Sequence, residues 1–209
     1  MPRPAAQPSS PTTATAADAR TRWLDAGLAA LATGGLAALR IDSIAREIGL
    51  TKGSFYHHFA SRETYVEALL EHWEAQSTRR IIELAESAPS LGAKFDRLNA
   101  LAEAVDHRLE VALRGLVQHD ARIGAMVRRV DKRRIAYLEA LSRHIGADGE
   151  QARFLAELGY FAFVGAQQLG RLPHPSAWHA RQRALFAFAT AAAQRPNATG
   201  ARVSPRSKR

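Results

Sequence analysis

The chain has 209 residues and carries 29 Lys and Arg against 20 Asp and Glu, a formal net charge of +9 with its 8 histidines neutral. Hydrophobic residues make up 46% and charged ones 23%, the mixture of a folded protein rather than a disordered or fibrous one. There is no cysteine, which excludes disulfide scaffolds, thiolate zinc sites and cysteine nucleophiles. A domain takes ~100 to 200 residues, so the length fits one domain or a small one joined to a larger.

Residues 1–17 hold Pro2, Pro4, Pro8 and Pro11 among Ala, Ser and Thr, without the apolar core of a signal peptide. They read as a disordered tail, and the protein as a cytoplasmic one. No uncharged apolar run approaches the ~18 residues of a membrane helix, so no membrane partner is expected. Residues 195–209 hold Arg195, Arg202, Arg206, Lys208 and Arg209 without an acid, interrupted by Pro196, Gly200 and Pro205. This is the pattern of a disordered basic tail, suited either to sequence-blind attraction for polyanions or to solubility alone.

Between the tails the apolar residues recur every three or four positions, the helical period, and an all-α fold of about nine helices is expected. Asp18 is a candidate cap for helix one, which places Leu24, Leu28 and Leu31 on one face and ends at Gly34-Gly35. A short helix over Ile41 to Ile48 ends at Gly49, and Thr51 can cap a third over Lys52 to His57. Helix four begins at Ser61 and runs to about Ser87, helix five covers Leu91 to Ala104, and helix six His107 to Gln118. Asp120 caps helix seven, with Ile123, Val127, Val130, Leu138, Leu141 and Ile145 along one side. Asp148 caps helix eight, which is apolar nearly all round and must be covered on more than one side. Pro173 and Pro175 break the chain before helix nine.

Two short helices joined at Gly49-Leu50-Thr51 suggest a helix-turn-helix, whose second helix enters the DNA major groove. Ile44, Ala45, Ile48, Leu50, Phe55 and Phe59 are its apolar packing positions, since neither helix is long enough to be stable alone. Lys52, Ser54, Tyr56 and His57 offer charge, hydroxyl and longer polar tips for phosphate or base contact. The run from Ile44 through Phe59, IAREIGLTKGSFYHHF, followed by Ser61-Arg62-Glu63, resembles the N-terminal domain of the TetR family of bacterial transcriptional regulators over about Arg20 to Leu70.

The resemblance implies an N-terminal three-helix DNA-binding domain over residues 18–62 and a helical regulatory and dimerisation domain over 63–194. It carries DNA-contact roles onto Arg40, Thr51, Lys52, Gly53, Ser54, Tyr56, His57 and Arg62. Many members have threonine where Arg40 stands. Arginine cannot cap helix two as threonine would, so Arg40 is expected to reach a phosphate directly. Neighbouring His57 and His58 point about 100° apart on a helix, so no metal site is expected there, and no cofactor or catalytic motif is found.

The resemblance also implies double-stranded DNA, a second copy of the chain and an unidentified small-molecule effector as partners. Leu155, Gly159, Phe163, Trp178, Leu185 and Phe186 are the expected dimer contacts. Leu101, Val105, Leu109, Leu113, Leu116, Met126, Tyr137, Phe161 and Val164 could line a ligand cavity, with Tyr137, Arg108, Arg114 or His119 as polar anchors, or could fill the core solidly. The function expected is a repressor released from a palindromic operator by its ligand. The alternatives are a basic DNA-coating protein, or an all-helical enzyme or carrier.

Overall fold

The computed structural model describes residues 16–144, 146–170 and 175–193, and every regular element among them is helical. Residues 1–15, the C-terminal tail, Ile145 and Pro173 lie outside the described residues, whereas residues 16 and 17 of the expected N-terminal tail are helical. The first helix, α1 (Ala16–Gly34), starts earlier than expected, so Asp18 stands within its first turn and does not cap it. It ends where the sequence places its end, at a Gly35 of φ +60° that opens a single 3-10 turn, Gly35–Ala38.

α2 (Ile41–Glu47) and α3 (Lys52–His58) are separated by Gly49, whose φ of +64° only glycine adopts without strain. The Thr51 hydroxyl accepts the Ser54 amide at 3.1 Å and so caps α3. α4 opens on a reciprocal cap, in which Ser61 Oγ accepts the Thr64 amide and Thr64 Oγ1 accepts the Ser61 amide. It continues as Arg62–Glu74, a π-helical turn Ala75–Arg79, and Arg80–Glu86. Nothing in the sequence announced that turn.

α5 (Leu91–Ala104) is capped by Ser90. α6 (His107–Gly115) stops three residues short of the expected Gln118, because the backbone after Gly115 bonds three residues back through Leu116, Val117 and His119. α7 (Ala121–His144) and α8 (Gly149–Gln168) are capped by Asp120 and Asp148 as expected, and α9 covers Pro175–Ala193.

The chain forms two compact units. One holds the described residues up to Trp73 together with Arg108–Ile123, and the other holds Glu74–His107 with the described residues from Gly124 onward. The division inside α4 thus falls eleven residues after the boundary drawn from the sequence at 62. The core of the first unit is an aromatic cluster from three helices. Trp23 meets Phe55 at 5.2 Å, Phe55 meets Tyr65 at 5.1 Å, and Phe59 meets Tyr65 at 4.7 Å between ring centroids. The Tyr65 hydroxyl donates to the Trp23 carbonyl, and burial pushes its phenol well above its ordinary range.

In the second unit α5 packs on the end of α4 and on α9, and α8 packs on α9. Arg129 and Arg133 of α7 both pair with the buried Glu74 carboxylate, the first at 2.9 Å. Arg134 donates to Thr78 Oγ1 at 3.0 Å and to the Ser77 carbonyl at 3.3 Å, both within the π-helical turn. Basic residues of α7 thus fasten that turn and the residue before it. Among the described residues no helix is long and apolar enough to cross a membrane.

Candidate nucleic-acid interface

The interface is built outward from Phe55. Its ring is fully buried against Trp23 and Tyr65, so the register of α3 is fixed by its inward side. With Phe55 inward, Lys52, Gly53, Tyr56 and His57 are exposed, and Tyr56 leaves 59% of its surface open to solvent. The turn is held from behind as well. The Arg22 guanidinium on α1 donates to the Ile48 carbonyl at the end of α2, completing an orphan group of that helix. Trp23 Nε1 donates to Ser54 Oγ at 3.4 Å.

The expected contact residues therefore differ in how they are engaged. Thr51 and Ser54 have structural bonds, the first as the cap of α3 and the second from Trp23. Gly53 has open space where a Cβ would stand, apart from the Thr51 hydroxyl at 3.6 Å. Arg40 occupies the N-cap position of α2 in an extended conformation, makes no side-chain cap bond and is exposed. Arg62 donates to the Leu36 carbonyl at 2.6 Å, tying the start of α4 to the 3-10 turn.

Lys52 holds a partner the sequence did not suggest. Its Nζ lies 2.7 Å from Asp42 Oδ1, both side chains are more than half exposed, and the carboxylate raises the lysine pKa further above its ordinary value. Only the ten-residue spacing from one helix start to the other could have hinted at it. His58 is held below the ordinary imidazole range by burial first, then by His57 and Arg20.

The family described as "Bacterial regulatory proteins, tetR family" matches residues 24–69, from the core of α1 to the first part of α4. Residues 24–69 thus form a TetR-type N-terminal domain. Solved structures agree in fold. A TetR-family transcriptional regulator from Agrobacterium tumefaciens is similar with a TM-score of 0.65 at 17% identity, over 83% of this chain and 98% of that one. A TetR transcriptional regulator from Legionella pneumophila gives 0.65 at 17% identity, over 89% and 100%. A transcriptional regulator from Rhodococcus sp. Rha1 gives 0.61 at 16% identity, over 83% and 95%. No curated protein sequence matches the chain.

The TetR-type domain falls in the first unit, and the remaining expected residues divide between the two units. Leu109, Leu113 and Leu116 fall in the first, and Leu101, Val105, Met126, Tyr137, Phe161 and Val164 in the second. Phe161 is 59% exposed. Tyr137 donates to Glu86 at 2.8 Å, and Arg114 pairs with the buried Glu110 at 3.0 Å. Arg108 and His119 are exposed.

The expected dimer contacts are enclosed to different degrees within the single chain. Leu155, Gly159 and Trp178 are buried within the single chain, and Phe163 is half-buried against the rings of His107 and Trp178. The physical reason is the close approach of α8 to α9, where a Cβ on Gly159 would stand 3.5 Å from Gln182 Oε1. Leu185 is half-buried, and the Phe186 side chain lies outside the described residues. The open apolar row of α8 is instead Phe154, Leu158, Phe161 and Leu169. The exposed alanines 180, 184, 187 and 191 follow the same helical spacing on α9. Among the described residues no group of three or more metal-ligating side chains occurs.

Proposed function

We propose that this DNA-binding regulator acts as a homodimeric repressor, bound to a palindromic operator through α3 and released by a small molecule. The observation that carries the reading is the locked presentation of α3: Phe55 buried behind it, Lys52, Tyr56 and His57 exposed in front. A preformed helix face loses little conformational freedom on binding, which favours a specific complex. Arg40 and Arg62, at the starts of α2 and α4, are the phosphate contacts that set its orientation.

Dimerisation supports the palindrome. The exposed Phe154, Leu158, Phe161 and Leu169 make a row of a kind that a monomer rarely leaves to solvent. Paired with the alanine row of α9 across a two-fold axis, it forms a self-complementary four-helix contact. Control rests on the second unit. There the Asn99 amide nitrogen and Gln167 Oε1 are buried without a partner among the described residues, while the other end of the Gln167 amide bonds His107 at 2.8 Å. Buried polar groups of this kind are anchors for a ligand with its own donor and acceptor. These displace Tyr137 as the anchor of choice. α4, continuous from Arg62 to Glu86, transmits the ligand's preference to α3.

The test is selection of bound fragments from the source genome by the full chain, followed by sedimentation with and without the recovered duplex. Expected are a palindromic site and a dimer at micromolar concentration. Recovery of random fragments, with equal affinity for all, would favour a DNA-coating protein instead.

A further inference from the structure

Asp42 is an acid placed on the face where a DNA-binding protein has most use for bases. Its carboxylate is exposed, it stands in the first turn of α2, and it holds the Lys52 ammonium at 2.7 Å at the first position of α3. As a device for stability the pair is poor, because exposed ion pairs contribute little and are screened by salt. As a device for affinity it is worse, because the carboxylate repels phosphates and neutralises the lysine that would attract them. What the pair does offer is geometry: a hydrogen-bond donor and an acceptor, side by side, one hydrogen-bond length apart.

A base pair offers the complement. In the major groove a G·C pair shows the guanine O6 acceptor beside the cytosine N4 donor. These two atoms are themselves hydrogen-bonded to each other, so they too lie one hydrogen-bond length apart. We infer that Asp42 and Lys52 act together as the reader of one base pair in each half-site, with guanine on the Lys52 side and cytosine on the Asp42 side. The inference rests on the reading of α3 as the helix that enters the groove.

The pattern discriminates by repulsion as well as attraction. With the pair reversed to C·G, Lys52 faces the N4 donor and Asp42 faces O6, and both contacts fail. With A·T, Lys52 faces the adenine N6 donor and Asp42 the thymine O4 acceptor, and both fail again. T·A keeps the order of acceptor and donor, but it replaces guanine N7, a second acceptor within reach of the ammonium, by the thymine methyl group. The ranking is therefore G·C, then T·A, with the two reversed pairs rejected. Since the ion pair is already formed in the DNA-free protein, its side chains lose less freedom on binding than two unpaired ones would.

The experiment is selection from a random duplex library by the full-length chain, repeated with Asp42→Asn and with Lys52→Ala. Asparagine can donate and accept, so it keeps the shape and loses the polarity. Asp42→Asn is expected to lower the preference at one base pair of each half-site by roughly 5- to 100-fold while every other enriched position stands. Lys52→Ala is expected to lose that same position rather than to weaken all sequences alike. If Asp42→Asn binds every duplex more tightly with the enriched sequence unchanged, or Lys52→Ala weakens all sequences equally, Lys52 holds a phosphate and the inference is wrong. If the wild-type chain enriches no sequence, the regulator reading falls and this inference with it. Both sites are exposed, and circular dichroism of the two variants checks that each is folded.

Discussion

The indole of Trp23 donates to the hydroxyl of Ser54 at 3.4 Å, so α1 grips α3 by a residue that also forms the centre of the aromatic core. Stability of the first unit and the setting of α3 are therefore coupled through one side chain. Trp23→Ala should cost ~3 to 5 kcal/mol, the usual range for emptying an aromatic site. Trp23→Phe keeps most of the ring packing and loses the bond, for ~1 kcal/mol. Denaturant titration of both variants measures this. Equal costs for the two would contradict the assignment of packing as the larger effect.

Gly27 gives a prediction opposite to helix propensity. Alanine favours a helix interior by ~1 kcal/mol over glycine. A Cβ at Gly27, however, would stand 2.2 Å from Tyr65 Oη and 2.6 Å from a Leu69 methyl carbon. The Tyr65 ring is locked by its bond to the Trp23 carbonyl and cannot step aside. Gly27→Ala should lose ~1 to 3 kcal/mol in thermal or denaturant unfolding. A stabilised variant would show that α1 and α4 can separate freely.

The π-helical turn of α4 depends on Arg134, which donates to Thr78, to the Ser77 carbonyl and to the Ser77 hydroxyl at 3.2 Å. Arg134→Leu removes all three donors and leaves the buried Thr78 hydroxyl short of one partner. Hydrogen exchange of the amides over Ala75–Arg79 should accelerate in this variant more than exchange elsewhere in α4. An unchanged pattern would show that the turn is set by its own backbone.

The residues that were legible in advance are those with a local job. Gly35, Gly49, Thr51, Asp120 and Asp148 end or cap helices through atoms within a few positions of themselves, and spacing alone exposes them. The apolar side of α3 was legible for the same reason. The orientation of α8 was not. Phe154, Leu155, Leu158, Tyr160, Phe161 and Phe163 surround that helix, so no period distinguishes the row that meets its own chain from the row left open. Gly159, an expected dimer contact, lies against α9 of the same chain. Partners on different helices, Asp42 for Lys52 and Arg134 for Thr78, leave no trace in the apolar period of either helix.

Replacing Phe161 by Arg tests the proposed dimer face. The side chain is 59% exposed in the single chain, so the substitution should leave the monomer folded. It should convert a dimer to a monomer at micromolar concentration by sedimentation. A dimer that survives both Phe161→Arg and Leu158→Arg would place the interface elsewhere.

Asp120 links stability to pH. Its side-chain bonds to Arg122, together with the amides of Arg122 and Ile123, hold its carboxyl below the usual carboxylate range. A depressed acid contributes stability that is present above its unfolded pKa and is lost as pH falls through its folded one. Asp120→Asn keeps a capping oxygen and removes the charge. The variant should be less stable near neutrality and should lose less on acidification, so the two denaturation midpoints converge at low pH. Parallel curves would remove Asp120 from the acid response.

The most direct test of the central claim is the affinity of the full chain for its selected palindrome against a scrambled duplex of equal length, by fluorescence anisotropy at physiological salt. A locked α3 presented twice by a dimer should prefer the palindrome by about a thousandfold or more. That preference should disappear when Tyr56, Lys52 and His57, the exposed side chains of α3, are all replaced by alanine. Equal affinity for the two duplexes in the wild-type protein would contradict sequence-specific recognition by this helix.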